Sequence, residues 1–235
     1  MKRFLILALI LCLVPASAWA ARAFVTNSQN ISSSGLTAPS AGTISVWIRP
    51  NWNSGDSSVR EFWTFGTTFE PSCQRFSDNK IYCGFVSPEN RVIVSDTGVF
   101  TSGKWVNLVF TYSSAGETVY ANAVSVGTHG AFTPNPTANY RIGQLTGSSQ
   151  TVNAGMAEFA VWNRVLSANE ITAVAQGSSP LEVSPTSLLV YTPLLGIGTA
   201  EPDWGPSHYA QTVNGSPAFQ AHAPVQPYPQ VRYGQ

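Results

Sequence analysis

The sequence predicts an all-β domain with one short helix near residues 168–176. Several segments alternate apolar and polar residues with a period of two, which is the periodicity of a strand that buries one face. Only one segment shows the period of a helix. Charged residues make up 10% of the chain, which also contains 19 glycines and 16 prolines, a composition typical of short strands joined by turns. We therefore expect sheets packed around a single core.

The first twenty residues have the features of a secretory signal peptide. A basic start precedes an apolar run over 4–14, and small residues at Ala18 and Ala20 form a cleavage pattern. The run is shorter than a bilayer span requires, and an uncleaved membrane anchor is the alternative. We expect cleavage near Ala20, a mature chain of about 215 residues without a membrane span, and a secreted location, either extracellular or periplasmic.

The charge balance argues against nucleic acid as a partner. The chain holds 12 basic and 12 acidic residues, and loss of Lys2 and Arg3 with the leader makes the remainder slightly acidic. Binding to phosphate backbones requires a clustered basic face. We therefore expect no nucleic-acid partner.

The clearest strand runs over Gly42–Pro50. Ile44, Val46 and Ile48 share one face of it, and Pro50 ends it because proline cannot donate to a sheet. The preceding stretch, 29–36, is polar and is expected to lead into a turn. Further alternating segments follow at 60–66, 91–95, 105–112 and 140–142.

Cys73 and Cys83 are the two cysteines beyond the leader. Residues 77–79 between them have turn chemistry, so the flanking arms can pair antiparallel and bring the sulfur atoms opposite each other. In an exported chain this arrangement predicts a disulfide, with a redox or metal role as the alternative. Closing so short a loop would contribute roughly 3 kcal/mol at best.

A strand, a turn and a helix follow one another over 155–177. Phe159 and Val161 share one face of the strand. Ser167 and Glu170 form a capping box, in which each side chain accepts from the backbone N–H of the other residue. Gly177 is placed to end the helix in the left-handed conformation. This is the one predicted departure from the β-structure.

Three segments resemble the laminin G-like branch of the concanavalin A-like lectin/glucanase superfamily. Residues 157–171 resemble its closing strand and helix. Residues 103–112 and 118–123 are similar to its G-x-W … Y-x-N-G hairpin, although Ala123 stands where glycine is usual. The strand Gly42–Pro50 is the third match. The resemblance implies a two-sheet antiparallel jelly-roll sandwich of the concanavalin A-like type.

Residues 187–219 look like the two strands that usually open a laminin G-like domain, but here they close it. The simplest interpretation is one jelly roll over 21–219 with a circularly permuted strand order, which the fold tolerates where its natural termini are adjacent. A partial second module is the alternative, although two strands alone could not bury a core. The Pro-rich tail over 220–235 is expected to be extended or disordered.

No catalytic constellation is recognisable in the sequence. Glucanases of this fold use an E-x-D-x-x-E pattern on one strand, because a nucleophile and an acid must flank the bond about 5 Å apart. Glu201 and Asp203 approach it, but proline stands at the acid position and predicts a turn. Glu158 is alone on its strand and is expected to be a structural acceptor, with Arg141 and Arg164 as available partners.

Carbohydrate recognition would require aromatic platforms, since a pyranose ring stacks on Trp or Tyr while polar groups bind its hydroxyls. Trp52, Trp204 and Tyr209 lie in predicted loops and are the candidate ligand-binding residues. The alternative for each is a packing role. Tryptophans on the predicted strands are expected to pack inside the domain.

Calcium is the one cofactor that the resemblance implies, held at the rim by oxygen ligands from several loops. Asp203 is the favoured ligand, and Asp56 and Asp96 lie in other candidate loops, but the chain has no dense acidic loop. The isolated histidines, which are expected at surface or turn positions, are His129, His208 and His222.

The sequence favours an exported, non-catalytic module that binds a carbohydrate or a cell-surface ligand. One alternative is a structural or adhesive protein of a cell surface or virion that binds no sugar. A second alternative is a glycoside-active enzyme with a divergent site, against which the sparse carboxylates argue. Fold alone does not decide among them.

Overall fold

A computed structural model of the chain describes residues 20–67, 70–85, 90–144, 150–196 and 198–225. The predicted signal peptide, except for Ala20, and the tail beyond residue 225 lie outside these ranges. Within them, no helix is long and apolar enough to cross a membrane. The strands and the helix are β1 (Ala20–Phe24), β2 (Asn30–Thr37), β3 (Gly42–Pro50), β4 (Arg60–Phe65), β5 (Ser72–Arg75), β6 (Lys80–Phe85), β7 (Asn90–Ser95), β8 (Val106–Ser113), β9 (Gly116–Ala121), β10 (Val124–His129), β11 (Ala138–Ile142), β12 (Ala154–Trp162), α1 (Ala168–Ala175), β13 (Leu188–Thr192), β14 (Gln211–Asn214) and β15 (Ala218–Ala221).

The strands form two antiparallel sheets. Sheet A has the order β10-β9-β8-β3-β12-β1-β15, and β13 also pairs with β12. Sheet B has the order β14-β2-β11-β4-β5-β6-β7. Two stacked sheets with a single short helix confirm the predicted all-β jelly-roll sandwich.

The inward faces of the two sheets enclose the core. Alternation along β12 places Phe159 and Val161 inward, where both are fully buried. Across sheet B, the register sets Trp63, Cys73 and Cys83 side by side on the inward face. The two cysteines form the predicted disulfide, which therefore joins β5 to β6 inside the core.

The outward face of sheet A is covered by α1 and the segments beside it. Trp162 of β12 is fully buried there and donates its indole N–H to the Val183 carbonyl at 2.8 Å. Ser167 and Glu170 form the predicted capping box, and Ile171 packs into the same cluster. No helix of the described ranges covers the outward face of sheet B. On that face Thr64 of β4 is buried, whereas Ser34 of β2 and Thr212 of β14 are exposed.

The last strands of the chain join both sheets. In sheet A, β13 pairs with β12 and β15 pairs with β1, whereas β14 pairs with β2 in sheet B. Residues 210–219 form two strands rather than one because the chain turns at Gly215, which has a φ of +69°. The permuted strand order remains a prediction that truncation can test.

Two polar segments behave differently from expectation. The stretch 29–36 does more than lead into a turn, because it contains most of β2, whose Ile31 and Leu36 are buried in the core. The tail is also attached to the sandwich where it is described, since Ala223 is buried beside Trp47 of sheet A. In both segments a few apolar side chains among polar ones are enough to attach the backbone to the sandwich.

Candidate functional site

A groove crosses the outward face of sheet B where β14, β2 and β11 lie side by side. Its volume is about 660 Å³, and residues of the turn after β4 close one side of it. The lining includes several side chains that carry hydroxyl, amide or guanidinium groups. They are Ser32, Ser34, Thr67, Asn139, Arg141 and Thr212.

The register of the three strands explains why polar groups meet in the groove. Thr212 of β14, Ser32 of β2 and Arg141 of β11 are aligned across the sheet. Their neighbours Ile31 and Ile142 point the other way, into the core. Because side chains alternate along a strand, burying these isoleucines turns the polar residues outward. The polar floor of the groove is thus a consequence of the core.

Several polar groups in the groove are available to a ligand. Ser34 and Thr212 are exposed, and neither hydroxyl has a hydrogen-bond partner among the described residues. Asn139 accepts from the backbone N–H of Gly35 through Oδ1 at 3.1 Å, which leaves its amide N–H groups free. The groove therefore offers both donors and acceptors at positions fixed by strands.

Tyr209 precedes Ala210, which lines the groove, and its own side chain packs against the core. Its half-buried ring lies over Gly35, so that a Cβ atom built on this glycine would be 3.4 Å from two ring carbons. Gly35 has a φ of +100°, a conformation that glycine adopts without strain. Of the three aromatic residues predicted to bind a ligand, Tyr209 is the one whose neighbour in the chain lines this groove.

Asp203 organises the loop that precedes Tyr209. Its carboxylate accepts from the backbone N–H groups of Tyr191 and Tyr209 at 2.9 Å and of Gly205 at 2.8 Å. Trp204 is half-buried and packs edge-on against Tyr191, with ring centroids 5.9 Å apart. Both Asp203 and Trp204 therefore shape the loop that positions Tyr209.

Calcium binding at the rim stays a prediction. In the part of the chain that the structure describes, no three His, Cys, Asp or Glu side chains lie close enough together to hold a metal ion. The carboxylate of Asp203 accepts from backbone donors. Asp56 and Asp96 both pair with the buried guanidinium of Arg75, and Asp56 also pairs with Arg60, so two arginines face these two carboxylates.

Trp52 does not form a ligand platform in this structure. It is 5% exposed, donates its indole N–H to the Val152 carbonyl at 2.9 Å, and packs against Phe100. The guanidinium groups of Arg60 and Arg75 lie 5.5 and 5.3 Å from its ring centroid. The expectation is corrected because the loop folds inward, and the indole closes one end of the core.

Glu158 is a structural acceptor, but its partners are not the arginines expected. It accepts from the Tyr191 hydroxyl at 2.7 Å, and its Oε1 lies 3.1 Å from Nε2 of His222. Burial opposes the charged imidazolium, but the hydrogen bond and charge of Glu158 outweigh it and raise the pKa of His222. Arg164 pairs with Glu170 instead. His222, expected at the surface or in a turn, thus attaches the tail to sheet A.

Arg141 supplies the positive charge of the groove. The expected pair with Glu158 does not form, because Arg141 belongs to sheet B and Glu158 to sheet A. The residue is half-buried, and its guanidinium makes no ion pair and no hydrogen bond with any described residue. No Asp or Glu is among the described residues that line the groove. The groove therefore combines one uncompensated cation with neutral hydroxyls.

Two buried carboxylates have raised pKa values but do not form a catalytic pair. Glu61 is opposite Gln74 on the outward side of sheet B, and burial raises its pKa well above the ordinary value. Glu117 of β9 points inward, and burial raises its pKa to about 8. The two groups lie on opposite sides of sheet B, whereas glycoside hydrolysis needs two carboxyl groups across one bond.

Sequence reasoning missed Ser34, Asn139, Arg141 and Thr212 as candidate binding residues. The available signal was a run of three serines at residues 32–34. Such a run does not show which of the hydroxyls face water, because that depends on the register of the strand.

Comparison with known proteins bears on the fold. A family model described as the concanavalin A-like lectin/glucanases superfamily matches residues 24–172. No curated protein matches the chain. Among solved structures, a candidate carbohydrate-binding protein from Bacteroides ovatus is 15% identical with a TM-score of 0.66, and the match covers 88% of this chain and 61% of that one. A heptameric SAP-like pentraxin from Limulus polyphemus is 15% identical with a TM-score of 0.51, and the match covers 68% of this chain and 82% of that one.

At these identities the likeness to solved structures concerns the fold alone. The chain spans about 61% of the length of the Bacteroides ovatus protein. The family model covers more than half of the chain and includes every strand from β2 to β12. The chain therefore belongs to the concanavalin A-like lectin/glucanases superfamily.

Proposed function

We propose that the protein is an exported, non-catalytic module that binds a carbohydrate in the groove of sheet B. The observation that carries this proposal is the hydroxyl-rich groove itself, which lies on the sheet face that α1 leaves uncovered. A sugar presents hydroxyl groups in several directions, and a binding site needs a few convergent polar groups to orient it. The groove supplies such groups from three adjacent strands.

The free polar groups and one ring define how a sugar would bind. Ser34 and Thr212 offer hydroxyls that can donate or accept, and Asn139 offers amide donors. We expect a pyranose ring that extends past Ala210 to pack against the half-buried ring of Tyr209. Because β2 is paired on both sides, by β11 and β14, these groups need little ordering when the ligand arrives.

Two features support a module without catalytic activity that acts outside the cell. The described lining of the groove contains no carboxylate, so it lacks the acid and the nucleophile of glycoside hydrolysis. The disulfide between Cys73 and Cys83 suits an oxidising compartment and the predicted leader. N-terminal sequencing of the exported protein should find Ala21 as the first residue. An uncleaved chain in the cytoplasm would contradict the proposed location.

A glycan array tests the proposed binding. The purified mature protein is expected to bind at least one class of glycan, equally in calcium and in chelator. Loss of binding in chelator would reveal a metal-dependent site instead. No binding to any glycan would reject the proposal and favour the structural or adhesive role.

Variants locate the site. Thr212→Val removes one hydroxyl at nearly constant shape, so we expect affinity to fall about 2–10-fold, as for the loss of one hydrogen bond. Thr128→Val, at an exposed position of edge strand β10, is the matched control and should bind like the wild type. Tyr209→Ala should weaken binding as well, and its thermal unfolding separates lost ligand contacts from lost packing. Unchanged binding by Thr212→Val and Tyr209→Ala would move the site away from this groove.

A further inference from the structure

We propose that the groove selects an acidic glycan, whose sugar units carry carboxylate groups, and that Arg141 is the residue that binds the carboxylate. This inference rests on the proposed carbohydrate-binding function of the groove. It adds the chemical class of the ligand and a specificity-determining residue. The starting point is the bonding state of one side chain.

Arg141 differs from the other arginines of the described chain. Each of the others has a partner. Ion pairs with carboxylates are formed by Arg22, Arg60, Arg75 and Arg164. Arg49 donates to a backbone carbonyl, and Arg91 lies over an aromatic ring. The guanidinium of Arg141 has five N–H donors and no acceptor among the described residues.

The position of Arg141 leaves its guanidinium open to a ligand. Its side chain is half-buried and stands between Ser32 of β2 and Thr64 of β4, which are its partners across the sheet. None of its three guanidinium nitrogens is among the buried unpaired atoms of the described residues, so an anion that enters the groove can reach them. A planar guanidinium matches a carboxylate especially well, because two parallel N–H···O bonds can form.

The charges around Arg141 do not provide that anion. Glu61 lies on the same outward side of sheet B, but it forms no ion pair in the described structure, and burial raises its pKa well above the ordinary value. Glu70, near Thr137 of the groove, accepts from the side chain of Asn135 at 3.0 Å. The groove therefore presents a single positive charge surrounded by hydroxyls, a pattern that suits a sugar acid better than a neutral sugar.

Paired acidic and neutral ligands test the inference on the unaltered protein. Isothermal titration calorimetry with oligogalacturonate and with its methyl ester compares ligands that share their rings and differ in charge. Chondroitin sulfate and its desulfated form, which keeps the glucuronate carboxylates, distinguish sulfate from carboxylate. At least one carboxylated ligand should bind about tenfold or more tightly than its neutral form. Tight binding of the sulfated form alone would show that the carboxylate assignment is wrong.

Substitutions of Arg141 test the residue. Arg141→Gln should lower the affinity for the acidic ligand about tenfold and leave the ester unaffected, whereas Arg141→Lys should restore part of the affinity because it keeps the charge. Arg49→Gln, on sheet A, is the matched control. Equal binding of acid and ester, unchanged in Arg141→Gln, would overturn this inference and leave the proposed function intact. Absence of binding to every glycan, neutral or acidic, would overturn both.

Discussion

Replacing Glu117 by glutamine should stabilise the protein, and the gain should increase with pH. Glu117 lies between the sheets and is 2% exposed, and neither carboxylate oxygen has a hydrogen-bond partner among the described residues. His129 places its Nδ1 atom 3.7 Å from Oε2, beyond hydrogen-bonding distance. Burial raises the pKa of Glu117 to about 8, so its carboxyl group stays mostly protonated in the folded protein at neutral pH.

The size of the effect follows from the two pKa values of this group. In the unfolded chain Glu117 ionises near its ordinary pKa of 4.5, so above that pH the unfolded state releases a proton that the folded state retains. The free energy of unfolding then falls by about 1.4 kcal/mol per pH unit until the folded pKa is reached. The interval between the unfolded pKa and pH 7 is about 2.5 pH units, which corresponds to a loss of about 3 kcal/mol in the free energy of unfolding. Below pH 4 this loss of stability disappears, because Glu117 is protonated in both states. Glutamine does not ionise, so the variant does not lose stability in this way at any pH.

Urea unfolding followed by tryptophan fluorescence between pH 4 and pH 9 measures this effect. The difference in stability between Glu117→Gln and the wild type should rise from near zero at pH 4 to about 3 kcal/mol at pH 7, and level off at about 5 kcal/mol above pH 8. Glu182→Gln, at an exposed position, is the control and should follow the wild type throughout. A difference between Glu117→Gln and the wild type that does not change with pH would refute the claim that burial keeps this carboxyl group neutral.

Three further predictions concern the end of the chain and the disulfide. Deletion of 187–219 should abolish cooperative unfolding because it removes strands from both sheets. If the truncated protein still melts cooperatively at an unchanged temperature, measured by circular dichroism, the segment is a separate unit. The double change Cys73→Ala and Cys83→Ala, which buries no new polar group, should lower the free energy of unfolding by about 3 kcal/mol through loss of the loop closure and leave the protein folded. Loss of the fold in a denaturant titration would be the contrary result. His222→Ala should destabilise the protein most at low pH. Because the pKa of His222 is raised in the folded protein, its pair with Glu158 contributes fully to stability below the ordinary pKa of 6.5, and this contribution is lost as the pH rises through the folded pKa. Equal losses of stability at pH 5 and pH 9 would argue against a charged pair.

The strand and helix over 154–175 could be predicted because their determinants are close together in the chain. The capping box needs only Ser167 and Glu170, three residues apart, and the inward face of the strand needs only its own alternation. The disulfide was predictable for the same reason, since one hairpin brings both cysteines together. Local chemistry decides these features, and tertiary packing does not reverse them.

The groove could not be predicted because its residues come from distant parts of the chain. Thr212, Ser32 and Arg141 become neighbours only when β14 and β11 pair with opposite edges of β2. The aromatic candidates failed as a guide for a related reason. A tryptophan in a polar loop can face water or pack against the core. Trp52 is buried because its indole N–H donates to the Val152 carbonyl and its ring packs against Phe100.

The position of β1 has a consequence for how the protein folds. Arg22 of β1 is aligned with Met156 on one side and with Phe219 on the other. During synthesis, both edges of this strand therefore remain unpaired until β12 and then β15 have been made. Such distant pairings slow folding and leave open strand edges that can join other chains. We therefore expect the nascent chain to depend on a holding chaperone until its final strands are available.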